Sequence, residues 1–69
     1  MTKTLYVEGM SCNNCVRHVE EALMEVSGVK SAKADLKSKS AVIELTQDIE
    51  DKALIEAVEE AGYKVTGIQ

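Results

Sequence analysis

Proline, tryptophan and phenylalanine are absent from this 69-residue chain, and each absence excludes something. Without proline, and with no Gly/Ser-rich stretch or long charge run, nothing marks a linker, so a single domain is expected over residues 1–69. Without Trp and Phe the core must come from Val, Leu, Ile, Ala and Met, with Tyr6 and Tyr63 the only aromatics. A chain this short buries only about 60% of its unfolded surface, so the core is thin and leaves no room for a separate catalytic domain. The chain is not expected to be an enzyme. Long apolar runs are missing too: none exceeds three residues (Leu5-Tyr6-Val7, for example), which excludes a helical membrane span and a signal-peptide core. Basic side chains are scarce, eight against twelve acidic, and the net charge of -4 argues against nucleic acid and anionic lipid as partners. Two cysteines cannot build a multi-disulfide framework. Bridging Cys12 to Cys15 would close a ring too small to restrain the unfolded chain much. Their role is therefore read as chemical, in a reducing compartment, with a cytoplasmic setting expected.

What is present falls into six segments. Thr2 to Glu8 reads as a strand with Leu5 and Val7 on one face and Thr4 and Tyr6 on the other. From about Cys15 to Ser27, Val16, Val19, Ala22, Leu23 and Val26 recur at the three-and-four spacing of an amphipathic helix, and Gly28 is placed as its left-handed cap. Val29 to Lys37 and Ala41 to Thr46 alternate as strands, joined into a hairpin by Lys37-Ser38-Lys39-Ser40. Asp48 to Ala61 reads as a second helix, N-capped by Asp48, with a stripe of Leu54, Ile55, Val58 and Ala61 and a stop at Gly62. Tyr63 to Ile68 is a weaker last strand because Gly67 interrupts it. The order β-α-β-β-α-β is the ferredoxin-like plan, an α+β sandwich with a four-stranded antiparallel sheet and both helices on one face. That plan puts the first strand-helix loop, the hairpin turn near Ser38 and the Gly62-Tyr63 corner at the same end. Glu25, Asp48, Glu50 and Asp51 gather at the other.

The segment Gly9-Met10-Ser11-Cys12-Asn13-Asn14-Cys15 carries the chemistry. Its spacing lets two sulfurs face one point, and a helix N-terminus favours a thiolate at Cys15. Thiolates select soft metals. Structural Zn(II) wants four ligands, and two cysteines and one histidine cannot close such a site. Cu(I) accepts two or three sulfurs and leaves an open side through which an incoming thiolate can attack. Binding that is strong yet open to exchange is transport chemistry.

These residues, with Val16-Arg17-His18-Val19-Glu20-Glu21-Ala22-Leu23, Ser27-Gly28-Val29-Lys30-Ser31-Ala32 and Glu59-Glu60-Ala61-Gly62-Tyr63-Lys64-Val65, resemble the heavy-metal-associated domain along essentially the whole chain, and within it the bacterial copper chaperones. The resemblance implies Cys12 and Cys15 as Cu(I) ligands and a copper-transporting P-type ATPase, or its metal-binding domains, as the recipient. Ag(I), Hg(II) or Zn(II) can occupy such thiolates in vitro. Asn14 departs from the His that many bacterial chaperones carry before the second Cys, whereas Tyr63 matches their pattern beside the site. The start at Met1 and the end just after the last strand suit a free-standing chaperone, the alternative being an N-terminal domain of the ATPase itself.

Two other readings of the cysteine pair stand beside metal binding. A thioredoxin-type redox dithiol would be expected in a longer domain with an aromatic before the first Cys and a proline facing the sulfurs; here Ser11 precedes Cys12 and proline is absent. A purely structural pair is at odds with a polar, Gly-flanked turn. Met10 is assigned to anchoring the loop in the core rather than to ligation. His18 is a solvated helix residue, off the apolar stripe. Tyr63 is expected to shield the thiolates. Arg17, Lys37, Lys39 and Lys64 are placed near the site end, as a positive rim that would stabilise a bis-thiolate Cu(I) centre and steer docking to an acidic partner face. Two copies sharing copper through their cysteine pairs would form a metal-bridged homodimer.

Overall fold

A computed structural model describes all 69 residues as β1 (Thr2–Glu8), α1 (Asn13–Met24), β2 (Val29–Asp35), β3 (Ser40–Leu45), α2 (Asp51–Glu60) and β4 (Lys64–Ile68). The strands form one antiparallel sheet in the order β2-β3-β1-β4. The ferredoxin-like βαββαβ architecture is therefore the observed one. No helix is long and apolar enough to cross a membrane.

The period-two patterns decide which strands are central. β1 turns Leu5 and Val7 inward, and β3 turns Ala41, Ile43 and Leu45 inward while Val42 and Glu44 face solvent. These two strands pair with each other, Thr4 opposite Val42 and Leu5 opposite Ala41. The helices close the inner face: Val19 and Leu23 from α1 and Leu54 and Val58 from α2 are fully buried. Each such side chain contributes ~1.5–3 kcal/mol on leaving water, and ten residues form the whole core. β2 offers only alanines inward and lies at an edge. There the backbone N–H of Ala34 donates to Glu20 Oε2 at 2.8 Å, so α1 ties down one of the donors that a bare edge would leave open.

Element limits differ from the sequence reading for identifiable reasons. α1 runs from Asn13 rather than about Cys15, because Cys12 is extended at the N-cap. It ends at Met24, three residues before Ser27, where Val26 N–H bonds Leu23 O and Val29 N–H bonds Val26 O in tight turns. Gly28, with φ of 98°, closes that turn rather than capping the helix. The hairpin turn occupies Leu36 to Lys39, since Asp35 Oδ1 accepts the Lys37 N–H at 3.0 Å and ends β2 early, and Ser40 already pairs with Asp35. Asp48 does not cap α2. Lys3 Nζ reaches across from β1 to Ile49 O (3.2 Å) and Asp51 Oδ1 (2.6 Å), fixing the first turn at Asp51 with Glu50 at the N-cap.

At the other end of α2, Tyr63 N–H bonds Val58 O and Gly62 N–H bonds Glu59 O, with Gly62 at φ of 98°. These paired bonds are a Schellman stop. Tyr63 therefore belongs to the helix terminator, and β4 begins at Lys64. The Gly67 interruption appears as a register shift between Tyr6 and Val7, and the ladder continues through it.

Candidate metal centre

β1 is held on both sides and delivers its C-terminal end to the loop Gly9–Ser11. Gly9 has φ of 102°, a conformation side chains rarely adopt, and its bare Cα lets the Tyr63 ring lie close: a β-carbon there would meet Tyr63 Cδ1 at 3.5 Å. Met10 turns into the core and is only 7% exposed, the anchoring role expected of it. The chain then re-emerges. Ser11 and Cys12 are exposed, and α1 places Cys15 in its first turn.

Cys12 and Cys15 are free thiols whose sulfurs stand 3.5 Å apart, far outside disulfide length and within contact. Cys12 is exposed and Cys15 half-buried. Cys15 is shifted down from 9.0 to about 6, first by the Tyr63 hydroxyl, then by the Ser11 backbone N–H, the Cys12 thiol and the Ser11 hydroxyl, against a smaller opposing effect of burial. The Ser11 Oγ–Cys15 Sγ separation is 3.8 Å. The direction agrees with the sequence reading, but named donors around the sulfur carry it. Tyr63 moves the other way, its phenol raised mainly by its hydrogen bond to Cys15 and further by burial and the sulfur charges.

Tyr63 thus lies beside Cys15, on the shielding side. His18 does not join the sulfurs; its exposed ring meets Tyr63 Oη at 3.5 Å through Nδ1. The sequence reading missed that contact and the part of Ser11. Ser11 was visible as the residue four before Cys15, whereas His18 and Tyr63 are 45 positions apart and meet only in the fold. No cluster of three or more His, Cys, Asp or Glu side chains able to hold a metal exists anywhere in the chain, so a metal here would be held by the two sulfurs and would keep an open side. None of the surface clefts is lined by either cysteine.

The cationic residues of the expected rim sit at this end where their neighbours are fixed. Val7 N–H bonds Lys39 O at 2.8 Å, and Lys64 pairs with Glu8 at the end of β1. The single salt bridge, Lys3–Asp51, is at the far end of β1, so Arg17, Lys37, Lys39 and Lys64 have no ion-pair partner within the chain.

Residues 4–64 match the pattern of the heavy-metal-associated domain. The chain is 38% identical over 65 residues to the copper chaperone CopZ of Enterococcus hirae, covering 93% of this chain and 94% of that protein. It is 40% identical over 57 residues to copper-transporting ATPase 2 of Rhizobium meliloti, covering 83% of this chain but 7% of the ATPase. Among solved structures, a CopZ metallochaperone superposes with a TM-score of 0.88 at 33% identity, over 96% of this chain and all of that one.

Proposed function

The chain belongs to the heavy-metal-associated domain family, and from that membership we propose that it is a copper chaperone, binding one Cu(I) through Cys12 and Cys15 and passing it to a copper-transporting P-type ATPase. One observation carries this reading: two free sulfurs 3.5 Å apart on an outward loop, with Cys15 ionised at neutral pH. Metal–thiolate bonds are ~2.3 Å long, so two sulfurs on opposite sides of an ion stand ~4.6 Å apart. Opening this pair by about 1 Å, through the exposed Cys12, accommodates such an ion. A soft monovalent cation is satisfied there, and Zn(II), short of two ligands, is not. Ag(I) and Hg(II) would compete in vitro.

Release follows from low coordination. A partner thiol loses its proton, and its sulfur joins the ion while Cys12 and Cys15 are still attached. One of these two then departs and takes up a proton, and a second exchange completes the transfer. No electrons change hands. The unpaired cations Arg17, Lys37, Lys39 and Lys64 would draw an acidic partner face to this end. A reducing cytoplasm keeps both thiols available. At high copper loading, the open side of the ion admits sulfur from a second copy and gives a copper-bridged dimer. The match within a copper ATPase favours one other reading, a metal-binding domain acting in cis, with the same site chemistry.

The test is anaerobic Cu(I) titration against a competing chelator for the wild type, Cys12→Ser and Cys15→Ser. One equivalent bound by the wild type and lost in both variants is expected; retention in both would overturn the assignment.

A further inference from the structure

We infer that His18 is a positioning residue for this site: its Nδ1–H donates to Tyr63 Oη and so aims the only phenolic proton at the Cys15 sulfur. The starting point is a count of protons. Tyr63 Oη meets His18 Nδ1 at 3.5 Å on one side and the Cys15 sulfur on the other, and it has a single hydrogen to give. If His18 accepts that hydrogen, the sulfur loses its donor. If His18 donates, oxygen receives one bond and makes another, and the chain His18 Nδ1–H to Tyr63 Oη–H to Cys15 Sγ is satisfied throughout. An anionic sulfur is the stronger acceptor, and bonds in such a chain polarise one another, so the second arrangement prevails.

The backbone leaves each member little room to drift. His18 lies one turn beyond Cys15 on α1, beside the fully buried Val19, and Tyr63 is fixed by the Schellman stop of α2 and by the bare Cα of Gly9 beneath its ring. The relay thus couples the ends of two helices at the sulfur. For Cu(I) exchange, which rests on the function proposed above, a donor on Cys15 draws charge from the sulfur and loosens its hold on the ion. Losing the relay should therefore slow capture of Cu(I) by a chelator about two- to threefold, the change expected for one modest hydrogen bond.

The primary test needs no metal. Imidazole nitrogen shifts of the reduced, metal-free protein, read by NMR at about pH 8 where a histidine is ordinarily neutral, report which ring nitrogen of His18 carries the proton. Protonated Nδ1, reverting to protonated Nε2 in Tyr63→Phe, is expected. A bare Nδ1 in the wild type, or a tautomer indifferent to Tyr63→Phe, overturns the inference. The second arm measures Cu(I) capture by a chelator. His18→Leu and Tyr63→Phe should slow it equally, the double variant no further, and His18→Gln, which retains a donor, should restore the rate; additive effects count against the relay. If wild type itself binds no Cu(I), the proposed function fails while the tautomer measurement still decides the role of His18.

Discussion

Gly9 and Tyr63, from opposite ends of the chain, meet under the metal loop: the tyrosine ring lies where any side chain on Gly9 would begin, 3.5 Å from its β-carbon position. That distance is an ordinary contact, so the strain of a substitution comes from the backbone, held at φ of 102°. Gly9→Ala should cost about 1–2 kcal/mol of stability in urea denaturation, with the ring displaced rather than expelled.

Cys15 should titrate near pH 6, and its alkylation by iodoacetamide, followed by mass spectrometry of the labelled peptide, should rise through that midpoint. Tyr63→Phe removes the largest cause of the shift and moves the midpoint upward. The sign for stability follows. A thiol depressed in the folded state stabilises the fold fully above its unfolded value, and the contribution is lost as pH falls through about 6.

Glu20→Ala removes the acceptor of the Ala34 N–H at the β2 edge. The expected loss is about 1 kcal/mol, together with self-association at high concentration measured by sedimentation, because an uncovered edge invites strand pairing.

Neutralising Arg17, Lys39 and Lys64 together should slow Cu(I) transfer to an acidic partner domain and flatten its salt dependence in stopped-flow measurements. Their lack of internal ion-pair partners leaves these charges free to act outward. Thermal stability should be little changed.

The fold was legible because each helix and strand announces its own buried face: Leu5 and Val7, Val19 and Leu23, Ala41 and Ile43, Leu54 and Val58 all lie where periodicity placed them. Cys12, Cys15 and Tyr63 were legible as neighbours from topology alone. The misplaced limits share a different origin. Lys3 fixes the start of α2 from 46 and 48 positions away, and Asp35 ends β2 with a side-chain bond to the turn. Whether Asp48 caps a helix is decided by where a lysine on another strand reaches, and no local pattern contains that. His18 escaped for the same reason. On its own helix it is an unremarked polar residue off the apolar stripe, and its significance depends on a hydroxyl delivered by the far end of the chain.

Met10 is sunk in the interior while Cys12, two residues on, is bathed in solvent. That short tether works as a pivot. The thiol arm beyond it can swing toward an arriving partner and back without disturbing a single rung of the sheet, so loading and unloading should leave the amide exchange of β1 and β3 untouched.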